Sequence, residues 1–410
     1  MDKYEDQESH RMVGQGGSVA RLLPIMGVVF IAFLVIGIAL PVLPLHVHQG
    51  LGLGTFAVGL IAGSQFAVAL VSRPWAGRDS DLRGAKRAVV TGLILSAAAG
   101  LLYLSSLRFV SAPEISAAIL LLGRAVLGAG ESFIITGAQT WGMALAGPQN
   151  TGRVLAWMGT AMYAAFALGA PVGTTLYEGY GFTAIALVTA LLPLATLLLA
   201  APVRGAAPTA RVRPSFVRVI AAVWMPGVGL ALSSIGFGAM IAFVALLFAA
   251  RGWTVWPAFT VFAVAFILAR VFFGHLADRV GGARVALACV AIEAVGQGLI
   301  SAAPWSALAL VGAALTGAGY SLVYPGFGVE AVRRAPAESR GLATGAYTAF
   351  LDLTLGVGSP ALGLIGNVAG LGAVFVVSML VVACAAPIAM RLRNTPALSG
   401  AAVAVQGARS

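Results

Sequence analysis

Acidic side chains are scarce: fourteen Asp and Glu stand against 25 Lys and Arg in 410 residues, and charged residues make up only 10% of the chain. A soluble globule of this length needs far more polar surface to coat its exterior, so the shortage points to a lipid-facing protein. Cysteine is nearly absent, and Cys289 and Cys384 both fall inside apolar runs, too few for a disulfide framework or a thiolate metal site. The four histidines, His10, His46, His48 and His275, lie in tails, loops or helix ends, which leaves no intramembrane metal or His-based catalytic site. His46 and His48 lack a third ligand and read as solvated loop residues. The pattern G-x-x-x-x-G-K-[ST] is missing too, so the energy source is expected to be an ion gradient, with no cofactor and no enzymatic chemistry.

What is abundant is apolar: 60% of residues are hydrophobic. A bilayer core takes roughly 20 such residues per helix. Charge-poor stretches of that length recur over 22–45, 52–73, 87–107, 114–143, 153–177, 181–203, 219–249, 254–274, 284–302, 306–330, 341–367 and 371–391. The spacing predicts an all-α membrane protein of twelve transmembrane helices. The first run is too long for a signal-peptide core and has no small-residue cleavage site, so it is expected to be retained. The longest polar connection, about 204–218, divides the chain into two six-helix bundles, 21–203 and 219–393, with a disordered tail at 1–20 and another tail at 394–410.

Placing the amino terminus in the cytoplasm puts 22 of the Lys and Arg residues inside, leaves Arg108 and Arg251 outside, and leaves Arg124 within the membrane. That asymmetry is what the positive-inside rule demands. It accounts for the basic excess without nucleic acid, and both termini are expected in the cytoplasm. The halves also repeat. Arg73, Gly77, Asp81, Gly84 and Arg87 recur at one constant offset as Arg270, Gly274, Asp278, Gly281 and Arg284. At a second offset Gly128, Gly130 and Ser132 recur as Gly317, Gly319 and Ser321, and Gly169 and Pro171 as Gly358 and Pro360. Duplicated bundles of this kind enclose a solute site near the midplane of transporters.

The segment from Gly77 to Arg87 resembles the major facilitator signature G-x-L-A-D-R-x-G-R-K, with Asp79 and Leu82 departing from it, and the copy at Gly274–Gly281 fits better at its start. The resemblance implies two pseudo-symmetric six-helix bundles. It also implies a cytoplasmic gate containing Gly77, Asp81, Arg83, Gly84, Lys86, Arg87, Asp278, Arg279 and Glu330. The plainer alternative is a basic turn that only fixes topology. The stretches Ser72–Gly77, Ser234–Gly238, Gly317–Pro325 and Phe350–Val357 are similar to the YhhS/YfcJ-like subfamily of bacterial inner-membrane proteins, for which efflux of sugars or drugs is suggested.

Ionisable groups inside a bilayer cost about 2.5 to 3.5 kcal/mol each on insertion scales and are functional candidates by default. Arg124 and Glu131 share a face of the fourth span but stand about 10 Å apart along its axis, too far for a direct ion pair. The run around Arg124, Gly128 and Gly130 resembles the family's fourth-helix motif, whose arginine is associated with proton coupling. Glu131 beside it suits a carboxylate that loads and releases a proton; the alternative is a structural network that orients the helix. Asp352 is either a second coupling or substrate carboxylate or an interhelical anchor. Glu293 reads rather as an interhelical polar contact. Gly169-Ala-Pro-Val-Gly173 partly resembles an antiporter signature, and equally a bend with tight packing. If the family's cavity helices apply, Ser132, Thr136, Gln139, Ser233, Ser234, Tyr320 and Tyr324 line a pocket suited to a neutral or amphiphilic solute. The expected function is therefore secondary transport of a sugar-like or drug-like small solute by a monomer in the inner membrane, by proton-coupled efflux, with proton symport, uncoupled facilitation or, more distantly, a polytopic membrane enzyme or sensor as alternatives.

Overall fold

A computed structural model describes the backbone of residues 2–146, 151–205, 216–335 and 340–395, and the side chains of 22–146, 154, 157–205, 220–335 and 343–395. Most of the expected 204–218 linker and nearly all of the 394–410 tail lie outside these residues.

The described chain is helical, with no strand. Its elements are α1 (Asp2–Leu45), α2 (Thr55–Arg83), α3 (Ala85–Ser106), α4 (Pro113–Ala146), α5 (Thr151–Ala200), α6 (Phe216–Ala250), α7 (Trp256–Phe273), α8 (Leu276–Val280), α9 (Gly282–Ala302), α10 (Ser306–Arg334), α11 (Arg340–Ala369), α12 (Leu371–Ala383) and α13 (Ala385–Asn394). Eleven of the described helices are long and apolar enough to cross a membrane. One of them, α5, is two rods in sequence, broken at Gly181 where φ is 66° and ψ is −169°. A backbone of that kind is open only to glycine, so the fifth and sixth expected spans separate there. The last span is divided at Cys384 into α12 and α13. Helical backbone begins at Asp2, where a disordered tail was expected; the segment to Met12 contains no Pro or Gly to interrupt it.

The stretches long enough to cross a membrane are largely apolar all round, as lipid-embedded helices are. Leu101, Leu198, Phe272 and Val368 are exposed, while Phe33, Trp141, Phe243 and Phe327 are fully enclosed. Two compact units result, Met1–Leu53 with Ser64–Arg211, and Gly54–Gly63 with Val212–Ser410. In the first, α1 packs on α5 and α3 on α4 and α5; in the second, α10 packs on α7 and α9, α11 on α6, and α12 on α9. The opening turns of α2 group with the second unit. There Thr55 donates to the Gly363 carbonyl at 2.7 Å.

Close backbone approach, without large interlocking side chains, fixes these crossings. A Cβ added to Gly128 would lie 1.9 Å from the Gln65 carbonyl oxygen, and one on Gly317 would lie 2.2 Å from that of Phe262. Gln65 and Phe262 are related by the same offset as Arg73 and Arg270, so the sequence repeat is also a repeat of helix crossings.

Candidate functional site

In the first unit the polar centre forms where α4 crosses α2. Gly128 brings the α4 backbone onto Gln65, and one turn on, Glu131 Oε2 accepts a hydrogen bond from Gln65 Nε2 at 2.5 Å. Gln65 was missing from the sequence expectations. It is buried, and its Oε1 has no partner. A membrane interhelical hydrogen bond averages about 0.6 kcal/mol, well below the roughly 2.5 to 3.5 kcal/mol that an inserted charge costs. The bond alone therefore does not explain why a carboxylate occupies this crossing.

Arg124, one turn before Gly128, is 2% exposed, and its Nε and one terminal nitrogen have no hydrogen-bond partner. The Tyr103 hydroxyl lies beside this guanidinium but outside hydrogen-bond geometry. Ser132 is buried with an unpartnered hydroxyl, while Thr136 and Gln139 are partly exposed on the following turns. Thr136 offers its carbonyl to Thr140 at 3.0 Å.

The second unit uses the equivalent crossing differently. The residue matching Glu131 is Tyr320, and its ring stacks on Phe237 at 5.0 Å, with Phe237 next to Phe262 at 5.9 Å. Ser234 donates to the Leu230 carbonyl at 2.8 Å and reaches the Tyr320 hydroxyl at 3.3 Å. Ser233, expected in a solute pocket, instead donates to Glu293 on α9, so that pair supplies the interhelical contact expected of Glu293. Of the four pocket hydroxyls expected here, only that of Tyr324 belongs to a partly exposed residue; it bonds Thr348 at 2.7 Å, and Tyr347 donates to its carbonyl at 2.7 Å. Asp352 is 1% exposed on α11.

The repeated turns share one backbone. Gly84 between α2 and α3 has φ 99° and ψ 143°, and Gly281 before α9 has φ 97° and ψ 135°. An L side chain is strained at both, which explains the two matching glycines. Gly77 lies within α2 with open space around it. Arg83 donates to Asp79 at 3.1 Å, so the departing Asp79 is the partner of the arginine at this turn. Lys86 donates to the Ala201 and Val203 carbonyls at 2.7 and 2.9 Å, placing a cation at the carboxyl end of α5 where the helix dipole favours it. Arg87, Asp278 and Arg279 are exposed. Glu330 is buried, pairs with Arg334 and lies 3.8 Å from Arg333; its Oε1 accepts from the Ala283 amide at 3.4 Å. Arg334 also donates to the Leu392 and Thr395 carbonyls at 3.3 and 3.0 Å, tying α10 to the end of α13. Gly169 and Gly173 lie on the α1 backbone at Gly37 and Ile38, a packing role for the Gly/Pro segment.

The profile of the Major Facilitator Superfamily matches residues 25–257 and again 231–407, which together span most of the chain. The chain belongs to the major facilitator superfamily. It is a multi-pass membrane transporter and not an enzyme. The chain is 45% identical over 365 residues to the uncharacterized MFS-type transporter STM4428 of Salmonella typhimurium, covering 89% of this chain and 93% of that protein. It is 39% identical to the MFS-type transporter YhhS of Escherichia coli K12, over 92% of this chain and 93% of YhhS. Among solved structures it is similar to the nucleoside transporter NupG, with TM-score 0.69 and 14% identity over 92% of this chain and all (100%) of that one. It is also similar to a bacterial homologue of the human lysosomal transporter Spinster, with TM-score 0.70 and 14% identity over 92% and 96%. At those identities the likeness establishes the fold.

Proposed function

We propose that this transporter exports a neutral or amphiphilic small organic solute from the bacterial cytoplasm across the inner membrane in exchange for protons, with Glu131 as the proton carrier. The observation that carries the reading is the Gln65–Glu131 pair. A primary amide has a donor and an acceptor end. As placed, Gln65 Nε2 serves an ionised Glu131, and its unpartnered Oε1 is free to accept the acid proton once the amide turns over. The pair thus accommodates both protonation states of one carboxyl group, which a carrier must visit in each cycle. Arg124, one turn before Gly128 with unpartnered donors, places a positive charge on the same helix face as Glu131.

Asp352 is the second carboxylate in this proposal. The candidate solute contacts are, in the first unit, the partly exposed Thr136 and Gln139 with the buried Ser132 and, in the second, the partly exposed Tyr324 with the buried Ser234 and Tyr320, a set with hydroxyls, one amide and aromatic rings that favours uncharged or amphiphilic solutes. Ser233 is committed to Glu293. The segments carrying Gly77, Asp81, Arg83, Gly84, Lys86 and Arg87, and Asp278 and Arg279, together with the Glu330 lattice, act as the cytoplasmic gate. With Gly169 and Gly173 engaged in helix packing, export rests on the resemblance to a subfamily for which efflux is suggested.

The test is solute-triggered proton movement in proteoliposomes carrying a pH dye, screening sugars and amphiphilic drugs. Solute loaded inside that drives proton movement opposite to its own flux supports export by exchange. Movement in the same direction would replace exchange with symport, and transport without any proton movement would remove the coupling claim.

A further inference from the structure

The second unit holds a carboxylate that this transport reading does not use. Glu293, midway along α9, is 0% exposed. Ser233 on α6 donates to its Oε2, and its Oε1 has no partner. One turn later Gln297 is also 0% exposed; its Nε2 donates to the Gly236 carbonyl at 3.1 Å and to Thr316 at 3.4 Å, and its Oε1 has no partner. The cluster therefore has two enclosed acceptor oxygens one helical turn apart and no donor left to serve them. An uncompensated charge enclosed in this way is among the most costly groups a protein can bury.

No donor reaches Glu293 Oε1; the cation nearest along α9 is Arg251, which donates to the Ile300, Ser301 and Ala303 carbonyls, seven or more residues and about 10 Å beyond Glu293. From α6 the cluster is faced by Ser233 and Gly236, from α10 by Thr316 and Gly319, and from α12 by Val382 beside Gly236; on α9 itself the other titratable group is Cys289. The nearest charged group on α10, Glu330, contacts α9 at Ala283, ten residues earlier and about 15 Å along the axis. Asp278 and Arg279 of α8, and Arg391 and Arg393 of α13, are exposed. The space is equally limiting: a Cβ on Gly236 would meet Glu293 Oε1 at 2.4 Å, so the α6 backbone already lies against that oxygen and leaves no room for a hydrated metal ion.

Packing does not require an acid here. By the internal repeat, Glu293 corresponds to Ser96 and Gln297 to Gly100, and Gly319 packs on Cys289 and Glu293 as Gly130 packs on Gly92 and Ser96. In the first unit Ser96 closes the same seam by bonding the Gly92 carbonyl at 2.9 Å. A small self-satisfied hydroxyl suffices where only helix contact is needed.

We propose that Glu293, Ser233 and Gln297 form a second proton-binding site, in which a proton on the Glu293 carboxyl group supplies the donor missing between Glu293 and Gln297, and which exchanges that proton with solvent when α6 parts from α9. The site stands independently of Glu131. The experiment is infrared difference spectroscopy of the full chain in lipid nanodiscs at neutral pH, in water and in deuterium oxide. The expected result is a carboxylic-acid carbonyl band that is absent from Glu293→Gln, retained in Glu131→Gln, and shifted by deuterium. Ser233→Ala, which leaves the carboxyl group intact, is expected to move the band by removing the bond to Oε2, and it serves alone if Glu293→Gln does not fold. A spectrum unchanged by these Glu293 and Ser233 substitutions would overturn the proposal. So would a band that never shifts in deuterium oxide, since the proton would then be a fixed part of the fold. A band lost only in Glu131→Gln would overturn it while leaving the Glu131 reading standing.

Discussion

Gln65 is the residue whose partner makes Glu131 intelligible, and a substitution there separates a binding role from a packing one. Gln65→Leu keeps the volume but removes the donor at 2.5 Å from Glu131. Loss of a buried partner costs about 1 to 3 kcal/mol, and of the two bonds the amide offers Glu131 the one donated to the ionised form is the stronger, because its acceptor is charged. The stability gap between wild type and Gln65→Leu should therefore widen as pH rises and narrow as pH falls, read by thermal unfolding in detergent. In a Glu131→Gln background that pH dependence should vanish; a gap independent of pH would show that Gln65 acts through packing. Glu131, Arg124 and Asp352 were legible in the sequence because charge stands out against an apolar run. Gln65 and Gln297 were not, because an amide carries no charge and a helix that is apolar on every side gives no period to show which way it points. For the same reason Ser233 was assigned to a solute pocket, when its bond to Glu293 needs α6 and α9 side by side.

Helix crossings set by glycine give sharper expectations. A side chain at Gly128 or Gly317 must displace a neighbouring backbone carbonyl, at 1.9 and 2.2 Å from the added carbon, whereas nothing lies within 4 Å at Gly77. Overpacking of this kind costs typically about 1 to 3 kcal/mol, so Gly128→Ala and Gly317→Ala should lower the unfolding temperature clearly and Gly77→Ala should not. At the turns, Gly84→Ala and Gly281→Ala should each destabilise by roughly 1 to 3 kcal/mol through the positive φ with extended ψ, and by similar amounts, since the dihedrals of the two turns agree. Unequal losses would argue that the repeat does not extend to the energetics of the turn. The span boundaries were readable from hydropathy because each apolar run ends in charge, Gly or Pro. The division of α2 was not, because the contacts of Gly59 and Gly63 with the α11 backbone join residues about 300 apart in sequence. Glycine periodicity showed that Gly169 and Gly173 matter, but only the fold shows that α1 lies on them.

At the scale of the whole molecule, the two halves share a scaffold and differ in what they place on it: a carboxylate and amide at the α2–α4 crossing of one, an aromatic stack at the α7–α10 crossing of the other. A duplicated framework of this kind lets one half carry the ion while the other contributes aromatic surface. Topology follows from the same chain, and cysteines introduced at exposed Arg87 and Asp278 should be labelled by membrane-impermeant thiol reagents only from the cytoplasmic side. The central claim is that Glu131 couples protons to solute. It is tested most directly by comparing wild type and Glu131→Gln in two assays of the same proteoliposomes, for a solute identified in the screen: accumulation driven by an imposed pH gradient, and exchange of labelled for unlabelled solute with no gradient. The account predicts that Glu131→Gln keeps exchange near the wild-type rate and loses gradient-driven accumulation. Accumulation that still follows the pH gradient in Glu131→Gln would contradict it.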